Sequence, residues 1–290
     1  MLSQAKVPFD VRLLALSPGS RPLVYNVMRV CCRLKRDTHE NMGSCFSMNY
    51  FLQIYGTLPR AGPGSNGLTR RAFEMMPHVP ESPRILDVGC GPGMQTVELL
   101  RIGAGTVIAL DLLPEMIDRV NVNANSAGVS DRLETIVKDM KEMAFPASSF
   151  DVIWSEGAIY NLGFEVGLKK FQEFLRPGGY VAVSEAVWLK PDPPSEVVEF
   201  WREYPEIDTV AAKLKIIQRT GYEVVGHFVL PPSAWTDQYY EPMEERIAEK
   251  AKHWRGIPEA EAVLSEARNE ISIFRQYSDY FGYAFFVMGV

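Results

Sequence analysis

Short apolar runs alternate with stretches of helical periodicity along residues 81–230. The apolar runs end at glycine, acidic or other turn-forming residues and predict buried strands over residues 84–88, 106–110, 133–137, 150–154, 180–187 and 222–230. Apolar positions at helical spacing predict helices over residues 94–102, 114–128, 164–175 and 195–220, the last with a break at Pro205. This alternation indicates the α/β class, with a doubly wound, mainly parallel sheet covered on both faces.

Residues on either side of this core extend it. Residues 1–80 are interpreted as an N-terminal extension that includes a possible lid, residues 81–230 as the core, and residues 231–290 as a helical cap of the same domain. The cap has predicted helices over residues 242–254 and 258–280, before a last strand over residues 283–288 that completes a seven-stranded sheet. Two interpretations of the added helices stay open: a lid over a bound acceptor, which is preferred, or the surface of a homodimer.

Composition and charge exclude several classes of protein. The chain has 290 residues, of which 47% are hydrophobic and 23% charged, as expected for a globular protein with a sizeable core. Its formal net charge is −6, so no excess of positive charge favours nucleic acid as a partner. The apolar stretches fall short of the ~20 residues that a membrane-spanning helix needs. We therefore expect a soluble protein, with the cytoplasm as the default location.

The four cysteines are Cys31, Cys32, Cys45 and Cys90, and no two of them have the C-x-x-C spacing typical of zinc or redox sites. No metal site is therefore predicted. The first three are interpreted as reduced thiols packed like small apolar side chains. The alternative is a thiol cluster that captures a soft metal or metalloid.

The first predicted strand runs directly into a glycine-rich turn, ILDVGCGPG at residues 85–93, which leads into a helix. Glycine allows the backbone to turn tightly and a ligand to approach it closely, and the helix N-terminus offers unpaired N–H groups. The second strand ends at Asp111, 18 residues after Gly93, where a carboxylate can accept both hydroxyl groups of a ribose. Asp139 follows the third strand and is a second acceptor, suited to an adenine amino group.

Five segments together resemble the class I S-adenosylmethionine-dependent methyltransferases: the glycine turn, VIALDLLPEMI at residues 107–117, the step Lys138-Asp139-Met140, FDVIWSEGAIYNL at residues 150–162, and LRPGGYVAVSE at residues 175–185. The resemblance covers roughly residues 58–230 and the last strand. It is closest to the small-molecule branch that includes the ubiquinone and menaquinone biosynthesis methyltransferases. It implies a Rossmann-like sheet, S-adenosyl-L-methionine as cofactor, S-adenosyl-L-homocysteine as product, and direct methyl transfer to a small-molecule acceptor.

The same resemblance assigns cofactor binding residue by residue. It implies that Asp87 orients the glycine turn, that Asp111 holds the ribose hydroxyl groups, and that Asp139 binds adenine. The other residues implied to bind the cofactor lie in the glycine turn or directly after a strand: Gly89, Cys90, Gly91, Gly93, Leu112, Lys138, Met140, Ser155 and Glu156.

A loop rich in turn residues, at positions 58–69, precedes the first strand. The resemblance implies that this loop folds over the cofactor, with Arg60 facing a carboxylate and Ser65 donating a hydrogen bond. The alternative is a plain surface loop in which Ser65 or Asn66 caps the following helix.

Methyl transfer from a sulfonium depends on alignment and a dry pocket, and needs a base only if the acceptor must lose a proton. The candidate catalytic residues lie in or after the later strands: Glu156, Tyr160, Glu185 and His227. His227 lies inside a predicted strand, where a structural role is the favoured alternative. Trp235, Tyr239 and Tyr240 are either ordinary packing residues or an aromatic wall for an apolar or cationic acceptor.

Three other functions fit parts of the pattern. An NAD(P)-dependent oxidoreductase typically has G-x-G-x-x-G, whereas Gly93 comes one residue early. A protein that binds S-adenosylmethionine without catalysis fits the same turn and acids, and the three N-terminal cysteines allow methylation of a metalloid. The chain lacks Asn/Asp-Pro-Pro-Tyr after the fourth strand, which argues against methylation of DNA amino groups or glutamine side chains. The acceptor atom stays open.

Overall fold

The computed structural model describes residues 42–290 of the chain, with side chains from residue 48 onward. The proposed thiol cluster lies outside this part, because Cys31 and Cys32 precede residue 42 and the side chain of Cys45 precedes residue 48. The described residues have the α/β class predicted from the sequence, and their strands form one sheet.

The helices and strands alternate along most of the chain. The helices are α1 (Met42–Ile54), α2 (Asn66–Glu74), α3 (Met94–Ile102), α4 (Pro114–Ser126), α5 (Phe164–Phe174), α6 (Ser195–Trp201), α7 (Val210–Arg219), α8 (Glu241–His253) and α9 (Pro258–Tyr277). The strands are β1 (Arg84–Val88), β2 (Thr106–Asp111), β3 (Leu133–Val137), β4 (Phe150–Glu156), β5 (Leu175–Trp188), β6 (Asp208–Thr209), β7 (Glu223–Val229) and β8 (Phe281–Gly289). A π-helical turn, Thr236–Tyr240, connects the short helical segment Ser233–Trp235 to α8.

The strand order in the sheet is β3-β2-β1-β4-β5-β8-β7, with β6 paired to β5. Strands β1 to β5 run parallel where they are neighbours, whereas β8 is antiparallel to both β5 and β7. The chain proceeds outward from β1 to β2 and β3, and then returns to place β4 on the other side of β1. The crevice at the carboxyl ends of β1 and β4 is therefore the position where a doubly wound sheet binds its ligand.

Apolar side chains on both faces of the sheet hold the helices in place. On α4, the positions predicted to share one face are buried, among them Met116, Val120 and Ala124. On α5, Phe164 and Phe171 are fully buried against the opposite face. Each of the larger side chains contributes about 1.5–3 kcal/mol by leaving water, which is why apolar periodicity in the sequence predicted these two helices.

The region between β5 and β7 differs from the prediction. The stretch at residues 195–220 breaks near Pro205 as expected, but the break contains β6, an eighth strand of two residues. Strand β5 also begins at Leu175 rather than residue 180, because Leu175 already pairs with Phe150 of β4 before a register shift at the Pro-Gly-Gly segment. Neither feature has an apolar periodicity that a sequence pattern could reveal.

The N-terminal helix packs on the C-terminal cap. Helix α1 contacts α8 and α9, and the Tyr50 ring lies edge-on to Trp254 with centroids 5.0 Å apart. The loop before α2 is tied to the cap by the Gly64 N–H, which donates to the Ala234 carbonyl at 2.9 Å. These contacts bring α1, the loop at residues 58–65 and the cap together above the carboxyl ends of the strands. Within residues 42–290, no helix is both long and apolar enough to cross a membrane.

Candidate active site

A cavity of about 430 Å³ opens at the carboxyl ends of β1, β2, β3 and β4. Its floor is the turn after β1, its sides are the segments that follow β2, β3 and β4, and its cover comes from α1 and the loop at residues 58–65. This is the crevice that the strand order specifies. The site residues predicted from the sequence can therefore be placed relative to one cavity.

The glycine turn shapes the floor of the cavity. Gly89, Cys90 and Gly91 line it. The backbone φ angles of Gly89 and Gly91 are 73° and 53°, values that residues other than glycine rarely adopt. A Cβ at Gly89 would meet the Ala158 Cβ at 2.5 Å. Gly93 does not line the cavity; it caps α3 and packs against Val120, so its part in the turn is structural.

Asp111 is held in the cavity wall by two backbone donors. Its Oδ2 accepts a hydrogen bond from the Gly91 N–H at 2.9 Å, and its Oδ1 accepts one from the Leu113 N–H at 3.0 Å. Burial raises the pKa of the Asp111 carboxyl group, while these N–H donors oppose the rise. Each carboxylate oxygen retains acceptor capacity, so the group can take a pair of hydroxyl groups from the cavity side.

The segments after β2 and β3 form an adjacent apolar slot. Leu112 and Met140 line it, and Asp139 lies at its edge with Oδ1 accepting from the Lys141 N–H at 2.9 Å. Lys138 does not reach the cavity. Its N–H donates to the Asp111 carbonyl at 2.8 Å, and Lys141 lines the cavity instead. A planar base fits between such apolar walls, with Asp139 available to a donor on its edge.

A buried ion pair links the covering loop to β4. Arg60 Nη1 donates to Glu156 Oε2 at 3.0 Å, and the two side chains are 4% and 5% exposed. Thr69 Oγ1 and Trp154 Nε1 donate to Glu156 Oε1 at 2.6 and 2.9 Å. The carboxylate that Arg60 faces thus belongs to Glu156 of the protein itself. The pair fixes the loop over the cavity, and both side chains line it.

Besides Gly93 and Lys138, three further residues predicted to bind the cofactor do not line the cavity but support its walls. Asp87 is fully buried, its Oδ2 accepts from Thr96 Oγ1 at 2.6 Å, and burial raises the pKa of its carboxyl group to about 7. Ser155 Oγ donates to the Val88 carbonyl at 2.9 Å. Ser65 Oγ accepts from the Leu68 N–H at 3.3 Å, so it caps α2, which was the alternative interpretation.

The four candidate catalytic residues separate into two pairs. Tyr160 and Glu156 line the cavity. Glu185 does not, because β5 continues to Trp188 and leaves position 185 inside the sheet, where the side chain is 1% exposed. His227 does not either, because β7 is the edge strand and lies three strands from β4. The expected positions of Glu185 and His227 at the site are thus corrected.

A smaller chamber of about 30 Å³ adjoins the cavity. Trp235 and Tyr239, two of the three residues offered from the sequence as an aromatic wall, line it, whereas Tyr240 does not. Ala61, Gly62, Pro63, Gly157 and Tyr160 line both spaces. The remaining walls are aromatic apart from one carboxyl group: Phe200, Trp201, Trp235, Tyr239, Tyr283 and Glu270. One signal could have indicated Glu270, since it falls on the buried apolar stripe of α9, three residues after Ala267.

Comparisons with known proteins agree with this geometry. Residues 85–179 match the family model for a methyltransferase domain. The sterol 24-C-methyltransferase ERG6B of Gibberella zeae is 31% identical over 110 residues, which are 38% of this chain and 28% of that protein. The 27-O-demethylrifamycin SV methyltransferase of Amycolatopsis mediterranei is 30% identical over 128 residues, which are 43% of this chain and 46% of that protein. The chain thus aligns with less than half the length of these relatives.

The fold also has close structural neighbours. A methyltransferase of Geobacter sulfurreducens, solved in complex with S-adenosyl-L-homocysteine, has a TM-score of 0.72 at 19% sequence identity, covering 83% of this chain and 97% of its own. The strand order and the position of the cavity define a doubly wound α/β protein with a ligand site at the carboxyl edge of its sheet. The methyltransferase domain matched over residues 85–179 and the fold shared with a solved S-adenosylmethionine-dependent methyltransferase agree with the resemblance stated from the sequence.

Proposed function

We propose that the chain is a methyltransferase that binds S-adenosyl-L-methionine and transfers its methyl group to a small-molecule acceptor by direct displacement. The observation that carries the proposal is the Asp111 carboxylate, held by Gly91 and Leu113 beside the glycine turn in the cavity wall. The matched methyltransferase domain supports the activity. The names of the rifamycin and sterol methyltransferases support a small acceptor.

The residues of the cavity fit this cofactor. Asp111 has free acceptor capacity for the two ribose hydroxyl groups, and the slot beside Leu112 and Met140 is apolar on the side where adenine would lie. Gly89 and Gly91 leave the floor free of side chains, so the backbone can approach the methionine portion. When bound, the cofactor supplies a methyl group already activated by the positive charge on sulfur.

The chain's own contribution is alignment and exclusion of water. The Arg60–Glu156 ion pair holds the covering loop closed, and Tyr55 and Tyr160 close the side of the cavity that faces the cap. A dry, shaped site favours displacement because the reactants meet in a productive orientation without competing water. Glu156 and Tyr160 are the proposed catalytic residues, since they line the cavity where an acceptor would enter.

Calorimetric titration with S-adenosyl-L-homocysteine tests the cofactor. We expect Asp111→Asn to weaken binding roughly 10- to 100-fold, because hydrogen bonds to a charged acceptor contribute about 1.5–3 kcal/mol. Asp118→Asn makes the same change at an exposed position on α4 outside the cavity, and should leave the affinity unaltered. Binding of NADH in place of the homocysteine compound would overturn the proposal and support the oxidoreductase alternative.

Turnover separates the enzyme from a protein that only binds the cofactor. Formation of S-adenosyl-L-homocysteine from S-adenosyl-L-methionine, measured across a panel of small acceptors, is expected to exceed the acceptor-free rate with at least one of them. Cofactor binding without any turnover would favour the non-catalytic alternative. The cytoplasmic location, the homodimer and the division at residues 80 and 230 stay predictions.

A further inference from the structure

The small chamber contains a carboxyl group without a positive partner. Glu270 accepts hydrogen bonds from the hydroxyl groups of Tyr55 at 3.1 Å, Tyr239 at 2.9 Å and Tyr240 at 3.5 Å. Its side chain is 5% exposed, and none of the Lys or Arg side chains in the described part of the chain forms an ion pair with it. A buried carboxyl group is stabilised either by taking up a proton or by a cation beside it, and a ligand could supply that cation here.

The walls around Glu270 favour a cation. Trp235 and Tyr283 meet edge-on with centroids 5.1 Å apart, and Tyr239 and Trp201 complete the chamber. Aromatic faces attract ammonium groups, most strongly where water is excluded. The charged side chains that line the adjoining cavity are Asp111, Asp139, Glu156, Arg60 and Lys141, and Arg60 is already paired with Glu156.

The size of the chamber limits what can enter. Its volume of about 30 Å³ has room for about two water molecules, which corresponds to the end of a chain rather than a ring system. Its shared wall with the cavity, from Ala61 to Pro63 and at Gly157, opens the chamber toward the cofactor site. A Cβ at Gly157 would meet Tyr283 at 3.1 Å, so glycine keeps this opening clear.

We infer that this chamber is the acceptor pocket and that it recognises the protonated amino end of an aliphatic amine through Glu270 and the surrounding aromatic faces. The inference rests on the proposed methyl transfer. The protonated nitrogen donates to the carboxylate, and the hydroxyl groups of Tyr55, Tyr239 and Tyr240 fix the carboxylate in place.

Glu270 is also suited to remove the proton that blocks the nitrogen. A proton passes from the ammonium group to a Glu270 oxygen, which gives a neutral amine with a free lone pair and a neutral carboxylic acid. Burial raises the pKa of Glu270 to about 7, and an aromatic chamber lowers the pKa of an amine, so the two groups approach each other in proton affinity. The transfer leaves the total charge of the chamber unchanged.

A binding experiment tests the inference without relying on activity. The full chain is first saturated with S-adenosyl-L-homocysteine and then titrated at pH 8, by NMR, with propylammonium chloride or with 1-propanol, a neutral molecule of the same shape. We expect propylammonium to bind about tenfold more tightly than 1-propanol, since only the ammonium group carries the charge. We expect Glu270→Gln to abolish this preference.

Glu259→Gln is the matched control, because it makes the same change on α9 at an exposed residue that lines neither space. The control should retain the preference for propylammonium. Equal affinities of the wild-type chain for the two probes would overturn the inference even if Glu270→Gln fails to fold. A preference for propylammonium that is retained in Glu270→Gln would also overturn the inference. Failure of S-adenosyl-L-homocysteine to bind in the first step would instead count against the proposed function.

Discussion

Two separate effects require glycine at position 93 of the glycine turn: its backbone conformation and its close packing. The φ angle is +84°, and a Cβ at this position would lie 2.7 Å from Val120 Cγ2. We expect Gly93→Ala to lower the free energy of unfolding by about 2–4 kcal/mol, because a left-handed backbone strain adds to an overpacking term. Urea denaturation followed by circular dichroism measures the loss.

Gly128 separates the two contributions. Its φ angle is +69°, but a Cβ there would meet nothing within 4 Å. Gly128→Ala should therefore cost only the backbone term, about 1–2 kcal/mol. Equal losses in the two variants would show that contact with Val120 contributes nothing at Gly93.

The roles of single residues could be predicted where they depend on residues close by in the sequence. Asp111 and Gly91 were indicated by the spacing of one turn and one strand end, and both line the cavity. Gly93 and Asp87 belong to the same motif, but Gly93 packs against Val120 and the Asp87 side chain is buried in the core. The spacing of residues along the chain does not reveal this. Glu185 was misplaced because position 185 lies inside β5, where it pairs with Ala284 of β8, and not at the end of the strand.

At the scale of elements, α2 begins at a side-chain cap. Ser65 accepts from the Leu68 N–H and does not line the cavity. We expect Ser65→Ala to lower the free energy of unfolding by about 1 kcal/mol, the usual value of an N-cap, and to change the affinity for S-adenosyl-L-homocysteine less than about twofold. Urea denaturation and calorimetry measure the two effects.

Ser272→Ala is the control for this change, because Ser272 is exposed within α9 and alanine is the better helix former. It should leave stability equal or slightly higher. A large loss of cofactor affinity in Ser65→Ala, with stability intact, would return Ser65 to the role of cofactor contact.

Helices and strands were predicted well wherever their apolar faces meet the sheet. The cap helices were predicted as elements, yet the sequence did not indicate what they cover. The stripe of α9 carries Glu270, and only its packing beside α1 brings that carboxyl group to Tyr55. This placement supports the interpretation of the cap as a lid over an acceptor.

At the scale of the whole molecule, buried carboxyl groups make stability depend on pH. The pKa values of Asp87 and Glu270 are each raised to about 7, from the values near 4 that an unfolded chain has. Between these values the folded chain holds protons that the unfolded chain has lost. Stability from these groups is therefore fully present below about pH 4 and is lost as pH rises through about 7, by up to about 1.4 kcal/mol per pH unit for each group.

Asp87→Asn tests this dependence, since an amide cannot titrate but can still accept from Thr96. We expect the fall in the free energy of unfolding between pH 5 and pH 8 to be about 2–3 kcal/mol smaller in the variant than in the wild type. Urea denaturation at the two pH values gives both falls. Asp118→Asn is the control at an exposed position, and its free energy of unfolding should fall between the two pH values as much as that of the wild type. If the free energy of unfolding of Asp87→Asn falls by the wild-type amount, Asp87 does not titrate in this range.

The sequence by itself determined the order of helices and strands, the glycine turn and the acids that follow β2 and β3, because periodicity and spacing act over a few residues. The tertiary structure decided which polar groups meet. Arg60 pairs with Glu156 across 96 positions of the chain, and Tyr55 meets Glu270 across 215. Such contacts depend on how elements pack, and the free energy of packing is shared among many side chains. No local pattern of residues encodes it.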